Sequence, residues 1–416
     1  MKTRFLSVIV VLGLLAASCG DSKKLGGSIT VLNWGTETEG KVWNELAKEF
    51  TTKTGINVNI ETAEWSVYWD KISTLYAANT PPEVFAMDAP LFSDWLSRDA
   101  LQSLQPYIDK DPATIEGLYP ASLQAYKTDS GYFGLPRDFQ TIVLYYNKAL
   151  FDKAGVKYPT ADWTWEDLKA AAKKLTVKDA AGKVTQWGFS PDLYDIEGFM
   201  SSLVWSYGGE IVSPDHKKTL IADKLEPWKL VWSMARDDQS LPSAEMATQY
   251  GSDLFVAGKS AMITSGHWSV PDYVQLPFAW DVVPMPKGPA GRATSVNSAG
   301  FVMAKKSANP DAGWAWIQFI LSKDGQTKLA QLGFAIPARK EVAESPAFLG
   351  QSAKIDHKMF LDAIEYAHVK PGFKGYDAWS SGFGDGMTGL FDRSKTMEQV
   401  LGAAVAAADK ALAGQK

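Results

Sequence analysis

The sequence predicts an α/β fold made of two or three compact units with largely parallel sheets. Three observations predict it. First, β-rich runs alternate with segments of helical hydrophobic period along most of the chain. Second, 416 residues with 46% hydrophobic and 21% charged side chains make an ordinary globular composition, long enough for more than one core. Third, no Pro/Gly/Ser-rich linker separates the units, which is compatible with a chain that crosses between them more than once.

Residues 1–19 (MKTRFLSVIVVLGLLAASC) place Lys2 and Arg4 before an apolar run from Phe5 to Leu15, followed by Ala16, Ala17 and Ser18. A spanning helix needs roughly 20 apolar residues, so this shorter run reads as a secretory signal peptide over 1–18. Cys19 follows the small residues and is the only cysteine. The arrangement resembles the bacterial lipobox, in which that cysteine is lipidated and becomes the mature N-terminus. Ala16 departs from the Leu usual there, and the alternative is an ordinary secretory signal with a free Cys19. Residues 19–27 read as a lipidated tether.

The first strand is residues 29–34 (ITVLNW). Val42, Leu46 and Phe50 then recur every fourth residue, giving an amphipathic helix with Gly55 as its C-cap. Residues 57–61 are the next strand, 68–79 a helix and 83–87 a third strand. Thr164 and Asp167 form a capping box ahead of Leu168 and Leu175. Asn309 and Pro310 supply a capping side chain and an N1 proline for a helix through 314–321. An alanine-rich helix over 397–412 closes the chain.

Several functions are excluded or weakened. A net charge of −5 offers no basic face for nucleic acid. One cysteine rules out a disulfide framework and cysteine-rich metal sites, and His216, His267, His357 and His368 show no ligand spacing. We therefore expect no cofactor and no metal. No GxSxG, SxxK or HExxH occurs. Gly258, Lys259 and Ser260 end like a phosphate loop, but Asp253 stands where its first glycine belongs. Gly384, Gly386 and Gly389 have dinucleotide spacing without a preceding strand, so they read as loop glycines. Asp109 and Asp111 begin like a calcium loop that Ala113 and Thr114 break. Carboxylates are numerous, and counting them leaves a glycosidase-type pair open.

Residues 131–155 (GYFGLPRDFQTIVLYYNKALFDKAG) resemble the extracellular solute-binding proteins, family 1, of bacterial ABC sugar importers, the group that includes maltodextrin-binding proteins. Further matches follow in order: residues 77–88 (AANTPPEVFAMD), 159–168 (PTADWTWEDL), 258–263 (GKSAMI), 280–288 (WDVVPMPKG) and 334–339 (FAIPAR). The resemblance runs from about residue 28 to 345. It implies the type II periplasmic-binding-protein fold, with two α/β lobes joined by hinge crossovers around a ligand cleft. The N-lobe would comprise 28–136 plus 283–330 and the C-lobe 137–282 plus 331–416. Hinges would lie near 136–140, 278–283 and 331–334.

The implied function is non-enzymatic. A monomer outside the cytoplasmic membrane, held there by its lipid, would bind a sugar or short oligosaccharide and deliver it to the permease subunits. Its residue types suit that cargo. Flat rings cover the C–H faces of a pyranose, and carboxylates, Arg and Asn pair its hydroxyls. Sixteen tryptophans are available, although Trp163, Trp165, Trp228, Trp232, Trp314 and Trp316 read as packing. The expected ligand-binding residues are Trp34, Glu37, Trp65, Asp88, Arg137, Asp138, Trp205, Trp268, Asn297, Arg339 and Trp379. Several have a structural alternative: a core aromatic for Trp34, a helix-dipole partner for Glu37, a cap for Asp88, and a mutual ion pair for Arg137 and Asp138. Other readings are a different cargo (glycerol phosphate, a polyamine or a peptide), an exported carbohydrate-active enzyme, or a surface scaffold. Arg137, Arg339 and Lys374 would admit an acidic cargo.

Overall fold

In the computed structural model the described residues are 26–193, 196–250, 253–352 and 354–414. The expected signal peptide and Cys19 lie outside them. The strands that build the two main sheets are β1 (Ser28–Trp34), β2 (Asn57–Ala63), β3 (Val84–Asp88), β4 (Gly134–Thr141), β5 (Val143–Asn147), β6 (Met262–Ser265), β7 (Trp280–Val283), β8 (Thr294–Met303), β9 (Ile336–Pro337) and β10 (Ala367–Val369). The helices used below are α1 (Glu37–Thr54), α2 (Trp65–Ala77), α3 (Trp165–Leu175), α4 (Pro310–Leu321), α5 (Lys323–Gln331), α6 (Tyr376–Met387) and α7 (Met397–Ala413).

The larger sheet runs β9-β4-β8-β3-β1-β2, with β10 also beside β8. The smaller is β6-β5-β7. Parallel pairing is confined to β1 with β2 and β3 and to β8 with β10; β8 is antiparallel to β3 and β4, and the smaller sheet is wholly antiparallel. The expectation of largely parallel sheets therefore holds only for the first three strands, which helices α1 and α2 connect. The later strands reach their sheets differently, mostly by antiparallel pairing. β4 sits in the larger sheet and β5, one residue on, in the smaller. β8 pairs with β10 through Thr294–Val296 and with β3 through Ala299–Met303.

β7 does not cross between lobes; it pairs with β5. The following loop stays on that side, where Lys287 N donates to Trp163 O at 2.9 Å and Ala290 N to Ser206 O at 2.9 Å. The next long strand is β8, which returns to the larger sheet.

Local chemistry explains most element ends. Thr36 and Glu39 form a capping box at the start of α1, and Gly55 ends that helix at φ 78°. Val42, Leu46 and Phe50 face inward as their period requires. Thr164 and Asp167 cap α3 as expected. Asn309 makes no side-chain cap bond, so Pro310 alone supports the start of α4. The glycines read as a loop instead lie on and after α6, and they serve helix packing: a Cβ on Gly386 would meet Ala404 Cα of α7 at 2.3 Å. Among the described residues, no helix is long and apolar enough to cross a membrane.

Candidate functional site

A cavity of about 300 Å³ opens where the C-terminal ends of β1 and β3 meet the crossover strands β4 and β8. Trp34, Gly35, Thr36, Glu39, Glu64, Trp65, Asp88, Arg137, Asp138, Gln140, Trp268, Asn297, Ala299 and Phe334 line it. Trp34 and Trp65 meet edge to face at 5.1 Å, and Trp69 backs both. Trp268 enters from the loop after β6. Its ring lies over Gly266, where any Cβ would stand 2.1 Å from a ring carbon. Trp65 (44% exposed) and Trp268 (37%) are the only exposed tryptophans among the described residues.

The polar floor is a set of buried charges. Arg137 and Asp138 are each 2% exposed. Arg137 donates through Nε to Asp138 Oδ2 at 3.0 Å and through Nη1 to Asn33 Oδ1 at 2.7 Å. Its guanidinium also lies 4.8–5.5 Å from the rings of Trp34, Trp43, Phe301 and Phe334. Burial raises the Asp138 carboxyl above its ordinary range, and Arg137 pulls the other way. Asn297 Nδ2 donates to Asp88 Oδ1 at 2.6 Å, and Lys370 Nζ lies 3.8 Å from Asp88 Oδ2. The hydroxyl of Tyr126 reaches Met87 O at 2.9 Å and Ser298 O at 2.8 Å, tying β3 to β8 behind the site.

Glu39 folds back from α1, and its Oε2 accepts from Thr36 N at 2.6 Å. Gly35 makes room: it sits at φ +148°, and a Cβ there would meet that oxygen at 2.5 Å. Burial pushes the Glu39 carboxyl up to about 7, with Asp272 and Asp138 adding to the rise.

Seven of the expected residues thus converge: Trp34, Trp65, Asp88, Arg137, Asp138, Trp268 and Asn297. Four do not line this cavity. Glu37 is exposed on the first turn of α1 and pairs with Lys41 at 2.8 Å, which lowers its pKa. Trp205 is buried and stacked on His368, centroids 4.6 Å apart. Arg339 is spent on three backbone carbonyls, of Leu321, Glu116 and Thr114. Trp379 is 0% exposed in α6, its Nε1 donating to Thr219 Oγ1 at 2.9 Å. Glu39, Glu64, Gln140 and Phe334 were not anticipated as site residues. The T-x-x-E spacing of Thr36 and Glu39 was the available signal for the first.

A larger cavity of about 450 Å³ shares only Asn297 with this one and is walled mainly by Phe92, Leu96, Phe139 and small residues. Unlike the larger one, the smaller cavity joins flat rings to several carboxylates, a guanidinium and amides. That set suits a ring with apolar faces and a hydroxylated rim. Among the described residues, no three His, Cys, Asp or Glu side chains are grouped to hold a metal ion.

The family described as bacterial extracellular solute-binding protein matches residues 34–327. The chain belongs to that family. A relative of this solute-binding protein from Brucella abortus is 28% identical over 381 residues, 90% of each chain. The maltodextrin-binding protein of Bacillus subtilis is 25% identical over 227 residues, 51% of each chain. Among solved structures, an ABC substrate-binding protein of Listeria monocytogenes in complex with cycloalternan is 28% identical, with a TM-score of 0.84. That match covers 93% of this chain and 99% of the other. The fold is accordingly the two-lobed type II arrangement, with the aromatic and acidic cavity between its lobes.

Proposed function

We propose that this chain is the extracytoplasmic substrate-binding component of an ABC importer. It captures a sugar or short oligosaccharide by hinge closure and delivers it to the membrane permease. The observation that carries this reading is the pair Trp65 and Trp268. They are the chain's only exposed tryptophans among the described residues, and both line one cavity, from opposite sheets. Large rings left in water beside buried carboxylates are matched by a ligand with apolar faces and a polar rim. The named cargoes of the relatives, a maltodextrin and cycloalternan, support the same class. The receptor is not an enzyme, and its cargo leaves unchanged. The signal peptide exports it, and lipid on Cys19 holds it, as a monomer, to the outer face of the membrane.

The test is thermal unfolding of the chain from residue 20, with tryptophan fluorescence, across mono- and oligosaccharides. A ligand at about 1,000 times its dissociation constant adds about 4 kcal/mol. A selective rise in melting temperature with the sugar recovered intact is the expected result. Cleavage of the sugar would point to an enzyme, and silence across the panel would overturn the sugar cargo.

A further inference from the structure

The cavity holds more negative than positive charge, and the protein does not neutralise the excess. Two buried cations adjoin it. Arg137 is committed to Asp138, to Asn33 and to four ring faces. Lys370 lies beside Asp88. Those cations pair with Asp138 and Asp88, and Arg137 also attracts Glu39 without forming an ion pair with it. Glu39 and Glu64 also line the cavity, and neither forms an ion pair among the described residues. Asp272, four residues after Trp268, lies near enough to act on Glu39 as a further negative charge. Arg339, the other cation expected here, is bound to backbone carbonyls elsewhere.

Resting on the sugar-receptor reading, we infer that the cavity selects a sugar carrying a free, protonated amine and rejects acidic sugars. Three features of the same wall favour an ammonium group. Trp65 and Trp268 offer exposed rings that attract a cation. Glu39 keeps one oxygen free, because only Oε2 is held by the Thr36 amide. Glu64 stands exposed beside Trp65 at the rim. A carboxylate also accepts from a neutral hydroxyl, so a neutral sugar still binds. Closure over it, however, removes water from Glu64 and from the ionised share of Glu39, which gain no ion-pair partner. An ammonium cancels that cost through charge-assisted bonds. A uronate adds a like charge to the cluster. Neither buried cation is free to receive it.

The experiment is titration calorimetry with the full chain at pH 7 in low salt. The probes are glucose, glucosamine, N-acetylglucosamine and glucuronate, their β-1,4-linked disaccharides, and the corresponding galacto and manno series. Spermidine serves as a cation without a sugar ring. In each series that binds, the free amine is expected to bind at least tenfold tighter than the neutral parent, and the uronate at least tenfold weaker. Salt at 0.5 M should shrink the amine advantage, and so should Glu39→Gln or Glu64→Gln. The readout for those variants is the ratio of amine to neutral affinity, which a general loss of structure would not move. A neutral or N-acetylated sugar binding as tightly as the amine, or a uronate binding as tightly as its neutral parent, would overturn the inference while leaving the sugar receptor standing. Binding of no sugar, or of spermidine alone, would overturn both.

Discussion

Replacing Arg137 by Met should destabilise the ligand-free protein by about 3–5 kcal/mol, because it leaves one partner of a buried ion pair behind. Both members are 2% exposed. Met keeps much of the side-chain volume between Trp34, Trp43, Phe301 and Phe334, so the loss is mainly electrostatic. Asp138 would lose its 3.0 Å donor, and the buried Asn33 carbonyl its 2.7 Å donor. The effect should depend on pH with a definite sign. Burial already holds the folded Asp138 carboxyl above its ordinary value, and Arg137 opposes that rise. Without Arg137 the folded state keeps a proton that the unfolded chain releases, so the variant loses stability as pH rises from about 4 through the raised folded value. Its deficit against the parent should therefore be larger at pH 8 than at pH 5. Urea unfolding followed by tryptophan fluorescence at both pH values measures this. Arg137→Met with Asp138→Leu removes the stranded charge and should recover most of the loss. A single-variant loss under 1 kcal/mol, a loss independent of pH, or a double variant no better than the sum of its singles would refute the idea that Arg137 is chiefly a counter-ion.

Four further outcomes are expected. Glu39→Gln should raise stability by about 3 kcal/mol at pH 8 and leave it nearly unchanged near pH 4.5: the folded carboxyl titrates at about 7 against an ordinary 4.5, so its cost grows from about pH 4.5 and is complete above about 7. Denaturant midpoints at the two pH values check this. Trp268→Ala should weaken binding of any sugar identified by unfolding at least tenfold, whereas Trp379→Phe should leave that affinity within about twofold and cost about 1–2 kcal/mol of stability through the lost bond to Thr219. Gly386→Ala should cost about 1–3 kcal/mol in urea unfolding, despite the better helix propensity of Ala, because its methyl would press on Ala404. Cys19→Ala should move the exported chain from the membrane fraction to the soluble fraction; a protein still attached would remove the lipid-anchor reading.

Why seven of the eleven expected residues meet while four do not follows from what a one-dimensional pattern carries. Strand ends are legible, because apolar runs stop where the chain leaves the sheet. Trp34, Asp88, Arg137 and Asp138 lie at the ends of, or within, strands that the pattern or the family resemblance locates. Arg339 is different in kind. Its guanidinium is used by Glu116 and Thr114, more than 200 residues away, and no local spacing announces such partners. Glu39 was hidden by its own regularity: a Glu at the third helical position of a capping box looks fully accounted for. Here the same carboxylate also faces the cavity, because Gly35 lets the turn fold close. Trp379 was the readable case. Reading residues 384–389 as a loop concealed that Trp379, Gly382 and Gly386 recur every three or four residues along α6. Small residues at that spacing let α7 approach, with a Cβ on Gly382 meeting Ala407 O at 3.1 Å. The tryptophan in step with them is buried, its ring against Phe373 and Tyr376 and its Nε1 on Thr219, and it does not line the cavity. The tryptophans that line the cavity sit instead where elements begin or end: Trp34 closes β1, Trp65 opens α2, and Trp268 follows β6.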